Sequence, residues 1–225
     1  MIKTILLDLD DTLLDNPIDR FLPAYLQRVA AYLANRIPPD RLLAELMRGT
    51  QAMLDNLDPT RTLEAAFAAS FYPALGERPE ELAPLFERFY QQDFPALREL
   101  TATRDGAQAF IDKLSEPGYE IVIATNPLFP RIAIEERLRW AGLPPAELPL
   151  ELITTYEDSH FAKPRPEYYA EILGRMGRSP VEAVMAGDDP EGDLAPAKSL
   201  GMPVFHLFDP ALRTAAARAA RKASR

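Results

Sequence analysis

The segment Asp8-Leu9-Asp10-Asp11-Thr12-Leu13 sets three carboxylates within four positions, directly behind the apolar run Ile5-Leu6-Leu7. Carboxylates that close together at the end of a buried element repel one another unless positive charge compensates them. A hard divalent cation with oxygen ligands is the simplest source of that charge. Taken alone, the same acids also read as helix caps or exposed loop residues. Three further segments carry related chemistry. Thr125-Asn126 closes the run Ile121-Val122-Ile123-Ala124, where a hydroxyl and backbone amides at a strand-to-helix junction suit phosphate oxygens, with an ordinary helix cap as the plainer reading. Lys163 sits in Ala162-Lys163-Pro164-Arg165-Pro166, whose prolines stiffen the loop around an ammonium able to offset carboxylates and a phosphate. A solvated lysine beside an exposed Arg165 is the alternative there. Gly187-Asp188-Asp189-Pro190-Glu191-Gly192-Asp193 follows Val184-Met185-Ala186. Asp188 is placed to complete a metal shell, and Asp193 either orients Lys163 or favours the dipole of the next helix.

Elements able to position these residues are legible in the periodicity. Lys3 to Leu9 reads as a buried strand with its carboxyl end at a polar site. From Asp105-Gly106 helix and strand alternate: helices over 106–116, 129–141, 166–176 and 191–200, strands over 119–125, 151–154, 182–187 and 203–207. That rhythm predicts an α/β fold with a doubly wound, Rossmann-like parallel sheet, which binds ligands beyond the carboxyl ends of its strands. All four chemical segments fall at or near those ends. Between Asn16 and Leu100 only helical spacing is found, as in Phe21, Leu22, Tyr25, Leu26, Val29 and Leu33. The expected organisation is an α/β core from residues 1–15 and 101–210, an inserted all-helical unit over 16–100 with joints near 15–17 and 100–104, and a basic tail over 211–225.

Composition narrows the chemistry further. The chain has 225 residues, 47% of them apolar, and no cysteine. That leaves a sizeable core and excludes disulfides, thiolate metal sites and cysteine nucleophiles. The formal net charge is −9, although Arg213, Arg218, Arg221, Lys222 and Arg225 crowd the tail. An acidic body of this kind repels nucleic acid, so no nucleic-acid partner is expected. The acids that interrupt the first apolar run rule out a signal peptide or membrane span there, which points to a cytoplasmic protein without a membrane partner.

The ordered segments DLDDTLL, the apolar strand ending in TN, AKPRPEYY and GDDPEGDLAPAKSLGM resemble the four motifs of haloacid dehalogenase-like hydrolases. The resemblance covers about residues 1–208, and 16–100 is similar to the helical cap inserted after the first motif in one subgroup. It implies a Mg²⁺-dependent phosphohydrolase acting on a small phosphorylated metabolite through an aspartyl-phosphate. Asp8 would be the nucleophile and Asp10 the acid and base, with Thr125, Asn126 and Lys163 holding the phosphoryl group. Asp8, the Asp10 backbone carbonyl and Asp188 would ligate magnesium, with Asp189 or Asp193 behind them. Asp189 stands where the family frequently has serine. A dehalogenase needs no acid two residues after its nucleophile, so Asp10 favours phosphoryl transfer. A phosphomutase on the same core and a phosphorylatable signalling module remain the alternatives. Arg20, Arg28, Asn56, Arg61, Tyr72 and His160 are candidate specificity residues among which the sequence does not choose.

Overall fold

The computed structural model describes residues 1–116 and 118–207, so the expected tail over 211–225 lies outside the described residues. The first strand, β1 (Thr4–Leu7), and a two-residue β2 (Leu14–Asp15) lead into α1 (Ile18–Leu33), α2 (Pro39–Leu54), α3 (Leu63–Leu75) and α4 (Pro79–Gln92). A 3₁₀ segment over Phe94–Leu100 and β3 (Ala102–Thr103) follow, with β3 antiparallel to β2. Helix and strand then alternate: α5 (Ala107–Ser115), β4 (Glu120–Ile123), α6 (Arg131–Trp140), β5 (Leu150–Ile153), α7 (Pro166–Met176), β6 (Ala183–Gly187), α8 (Ala195–Ser199) and β7 (Val204–His206).

The α/β expectation holds: five parallel strands form one sheet in the order β5-β4-β1-β6-β7. Side chains of β1 alternate between its faces, as strand geometry requires. Ile5 and Leu7 pack with Ile111, Ile134 and Leu138 of α5 and α6, whereas Leu6 packs with Tyr168, Ile172 and Ala197 of α7 and α8. Both faces are therefore covered, and the strands read as continuous apolar runs. The chain leaves β1 for β4 and β5 on one side, then returns to β6 and β7 on the other. Strand order reverses at β1, and that reversal opens a crevice at its carboxyl end.

The expected helix over 191–200 is corrected in its first half. Pro190–Leu194 forms a π-helical turn and only Ala195–Ser199 is α-helical. The N–H groups of Asp193 and Leu194 both bond to the Asp189 carbonyl, at 2.9 and 3.3 Å, and this widens the turn.

Local chemistry accounts for the helices between β2 and β3. Prolines open α2 and α4 at Pro39 and Pro79, where a missing N–H costs nothing. The Thr62 hydroxyl caps α3 by accepting from the Ala65 N–H, and Gly76 ends it in the left-handed conformation at φ 67°. Aromatic residues tie this region to α6: Phe94 stacks on Trp140 at 5.2 Å between centroids and meets Phe21 edge-on at 6.0 Å. Phe94 is fully buried in that cluster. Phe94→Ala should cost about 3–5 kcal/mol, read by denaturant unfolding. Because the ring joins both regions, one cooperative transition should move as a whole; two transitions with only one displaced would contradict this.

Candidate active site

Beyond β1 the chain makes a tight turn in which the Leu9 carbonyl accepts the N–H groups of Thr12, Leu13 and Leu14, at 3.2, 2.8 and 2.9 Å. Leu9 is buried beneath it, and Asp11 adopts φ 55°, a left-handed conformation that aspartate tolerates better than most residues. The Asp11 carboxylate accepts from the Asn16 backbone N–H at 3.1 Å. This turn aims Asp8 and Asp10 at different partners.

Asp8 is buried and accepts a hydrogen bond from Lys163 Nζ at 2.8 Å. Lys163 is buried as well and donates to Asp193 at 2.5 Å. Carboxylate oxygens of Asp8, Asp188 and Asp193 lie within 4.8 Å of one another. Asp188 accepts from the Thr12 hydroxyl at 3.1 Å. One ammonium thus bonds two of three convergent carboxylates, Asp8 and Asp193. Burial pushes the Asp8 carboxyl up to about 7 even though Lys163 pulls it down, with Asp193 and Asp10 adding to the rise. Burial works against the Lys163 charge, but Asp8 and Asp193 outweigh it and hold the ammonium well above its usual range. Burial also raises Asp188. A deficit of positive charge among oxygen donors fits a hard divalent cation held by Asp8 and Asp188.

Two glycines are required by these close approaches. A Cβ at Gly187 would lie 2.0 Å from Asp193 Oδ2, and one at Gly192 would lie 2.5 Å from Asp189 Oδ2. Asp189 itself is exposed and caps the following turn by accepting from the Glu191 N–H at 2.9 Å, so its carboxylate is directed away from the convergent set. Asp193 occupies the place behind Lys163.

Thr125 is buried at the end of β4, and its hydroxyl has no hydrogen-bond partner among the described residues. Its carbonyl is fixed by the hydroxyls of Thr154 and Tyr168, each at 2.8 Å. Asn126 accepts from the Lys163 backbone N–H at 3.2 Å and so joins the second and third chemical segments.

The Asp10 carboxylate stands apart from the Asp8 group. One oxygen accepts from Asn16 Nδ2 at 2.7 Å and the other pairs with Arg137 Nη1. Arg137 is 2% exposed, lies 4.9 Å from the Phe129 ring centroid, and its Nε and Nη2 have no partner among the described residues. Neither Asn16 nor Arg137 was singled out from the sequence. A signal for Arg137 did exist: it shares a helical stripe with Ala133, Ile134, Leu138 and Ala141, all buried, and a cation on an apolar stripe needs a buried partner.

Of the candidate specificity residues, Tyr72 alone lines the large cavity of about 880 Å³ that reaches from Asp10 and Asn126 into α1–α4. Arg28 pairs with Asp93 at 2.6 Å, Arg20 and Arg61 are exposed, and His160 faces Glu171 at 2.8 Å. Asn56 Nδ2 donates to the carbonyls of Asp58, Arg61 and His160, a structural task. A second cavity of about 380 Å³ lies beside Thr12 and Arg104; neither cavity is lined by Asp8 or Lys163, and the larger one adjoins the site through Asp10 and Asn126.

A Rossmann-like sheet whose central strand delivers a buried aspartate to a lysine and further carboxylates at the strand-order reversal defines an α/β enzyme of the hydrolase type. The chain belongs to the haloacid dehalogenase-like hydrolases, whose family model matches residues 2–201. It is 33% identical over 128 residues to a ribulose-1,5-bisphosphate 5-phosphatase of Halopiger xanaduensis, a match spanning 57% of this chain and about half, 51%, of that relative. It is 23% identical over 188 residues to a pyrophosphatase of Bacillus cereus, spanning 84% of this chain and 75% of the relative. Among solved structures it resembles a HAD-hydrolase of Bacillus subtilis bound to magnesium, with a TM-score of 0.52 and 22% identity, covering 92% and 88% of the two chains.

The raised Asp8 carboxyl makes stability depend on pH in a definite direction. Its value moves from 3.8 to about 7 on folding, so the folded state holds the extra proton between those limits. The contribution is fully present below about pH 4 and is lost as pH rises through 7. In excess chelator the thermal midpoint of the parent should fall across that window relative to Asp8→Asn. A difference between the two proteins that stays flat with pH would contradict this.

Proposed function

We propose that this chain is a Mg²⁺-dependent phosphohydrolase that cleaves a small phosphate monoester through an aspartyl-phosphate on Asp8. The observation carrying this reading is the buried Asp8 carboxylate, 2.8 Å from Lys163 and grouped with Asp188 at the crevice beyond β1. The names of the phosphatase and pyrophosphatase relatives support it. Asp8 and Asp188 side chains, with the Asp10 backbone carbonyl, would hold magnesium, which supplies charge neutralisation at the phosphoryl oxygens.

An Asp8 oxygen attacks phosphorus as the ester P–O bond breaks, and Asp10 delivers a proton to the departing oxygen. Asp10 then removes a proton from water, the water oxygen attacks phosphorus, and the Asp8–phosphorus bond breaks. The Thr125 hydroxyl, Asn126 and the Lys163 ammonium hold the phosphoryl group, and Asp193 keeps Lys163 in place.

Asp8→Asn should abolish turnover and phosphoenzyme formation. Asp10→Asn should lose on the order of 10²–10⁴ in rate, and less with nitrophenyl phosphate than with an alkyl phosphate, because nitrophenolate needs little protonation. Rapid-quench mass spectrometry of the Asp8 peptide after single turnover in ¹⁸O water checks the assignment. Label in phosphate with no phosphorylated Asp8 peptide, or full turnover in excess chelator, would overturn it.

A further inference from the structure

The cavity that opens beside Asp10 and Asn126 measures about 880 Å³, more than a phosphoryl group fills, and on the phosphohydrolase reading it is the space for the alcohol half of an ester. That wall is largely aromatic, with Tyr25, Phe67, Tyr72 and Tyr156 among its residues. Its charge is one-sided. Both of its guanidinium groups are already matched: Arg131 by Asp158 at 2.5 Å and Glu135 at 3.9 Å, and Arg137 by Asp10. The open Nε and Nη2 of Arg137 are sealed from solvent and are not presented to a ligand.

Glu64 and Glu157 enter the same wall without a cation. The Glu64 N–H bonds to the Tyr156 carbonyl at 2.8 Å, which brings the start of α3 against the loop after β5. Glu157 spends its carboxylate on the Arg131 backbone N–H, at 2.9 and 3.1 Å, and the Glu64 carboxylate has no hydrogen bond or ion pair among the described residues. Burial, then Glu157, raises the Glu64 carboxyl; burial, then Glu64, raises Tyr72 and Tyr156. Exposed Glu64 and half-buried Glu157 thus line one wall with two tyrosines and have no ion-pair partner among the described residues. Carboxylates beside tyrosine rings attract an ammonium through charge and through the ring faces, and they repel a second phosphate or carboxylate.

We propose that this cavity selects phosphate esters whose alcohol portion carries a positively charged amine, seated among Glu64, Glu157, Tyr72 and Tyr156. The inference rests on the phosphohydrolase reading above. It sets the chain apart from the bisphosphate and pyrophosphate named for its relatives.

Three aryl phosphates with the same phenol leaving group isolate the charge of the tail: 4-(2-aminoethyl)phenyl, 4-ethylphenyl and 4-(2-carboxyethyl)phenyl phosphate. At low salt with Mg²⁺ present, kcat/KM for the amine should exceed that for the ethyl ester about tenfold, and the acid should fall below the ethyl ester by a similar factor. The amine-to-ethyl ratio should shrink at about 0.5 M salt, and Glu64→Gln should lower it to about two. If Glu64→Gln fails to fold, the salt response of the parent carries the test. A ratio at or below one, or an acid ester turned over as well as the ethyl ester, overturns the amine assignment alone. If the ethyl ester is not hydrolysed at all, the phosphohydrolase reading falls and this inference with it.

Discussion

The structure depends on one electrostatic imbalance: three carboxylates, Asp8, Asp188 and Asp193, converge where a single buried ammonium bonds only Asp8 and Asp193. In a low-dielectric site such an arrangement is costly; burial first, and then Asp193 and Asp10, push the Asp8 carboxyl up to about 7 against the pull of Lys163. The same imbalance makes the site useful. On the phosphohydrolase reading proposed above, Asp8 would offer a desolvated oxygen to phosphorus, and the unmatched charge would be answered by a divalent cation.

Backbone geometry holds the imbalance in place. β1 is the middle strand of the sheet and the one at which strand order reverses, so its end receives residues from both halves of the chain. The turn around the Leu9 carbonyl separates Asp8 from Asp10, and the π-helical turn at Pro190–Leu194 lets Asp193 reach back to Lys163 past a glycine. The core can sustain this because Leu6, Leu7, Ile121 and Val122 are packed on both sheet faces, and little of β1 can shift to relieve the repulsion.

The helical region is fastened to the Lys163 loop as well as to the sheet. Leu63 donates to the Ser159 carbonyl at 2.8 Å, Asn56 to that of His160 at 2.8 Å, and Arg165 Nε to that of Leu54 at 3.1 Å. Any displacement of α2 and α3 is therefore felt by the loop that carries the ammonium. Glu64, on α3, and Glu157, on the loop after β5, line the same cavity, and the Glu64 N–H ties the two segments by bonding the Tyr156 carbonyl at 2.8 Å.

The sequence by itself determined the α/β rhythm, the run of helices between the first and second strands of the sheet, and the placing of Asp8 and Asp188 directly after apolar strands; Lys163 and Asp193 joined them only as the family resemblance implied. Those features follow from local periodicity and from apolar runs that end in polar residues, both of which are written in neighbouring positions. Only the tertiary structure decided that Asp10 pairs with Arg137 across 127 positions, that Asp189 caps a turn while Asp193 holds Lys163, and that the cavity wall is left with unmatched carboxylates. A side chain's partner is set by the packing of distant elements and by the exact path of a loop. Two aspartates four residues apart, alike in sequence, acquire different tasks because a single wide turn points one outward and the other into the core.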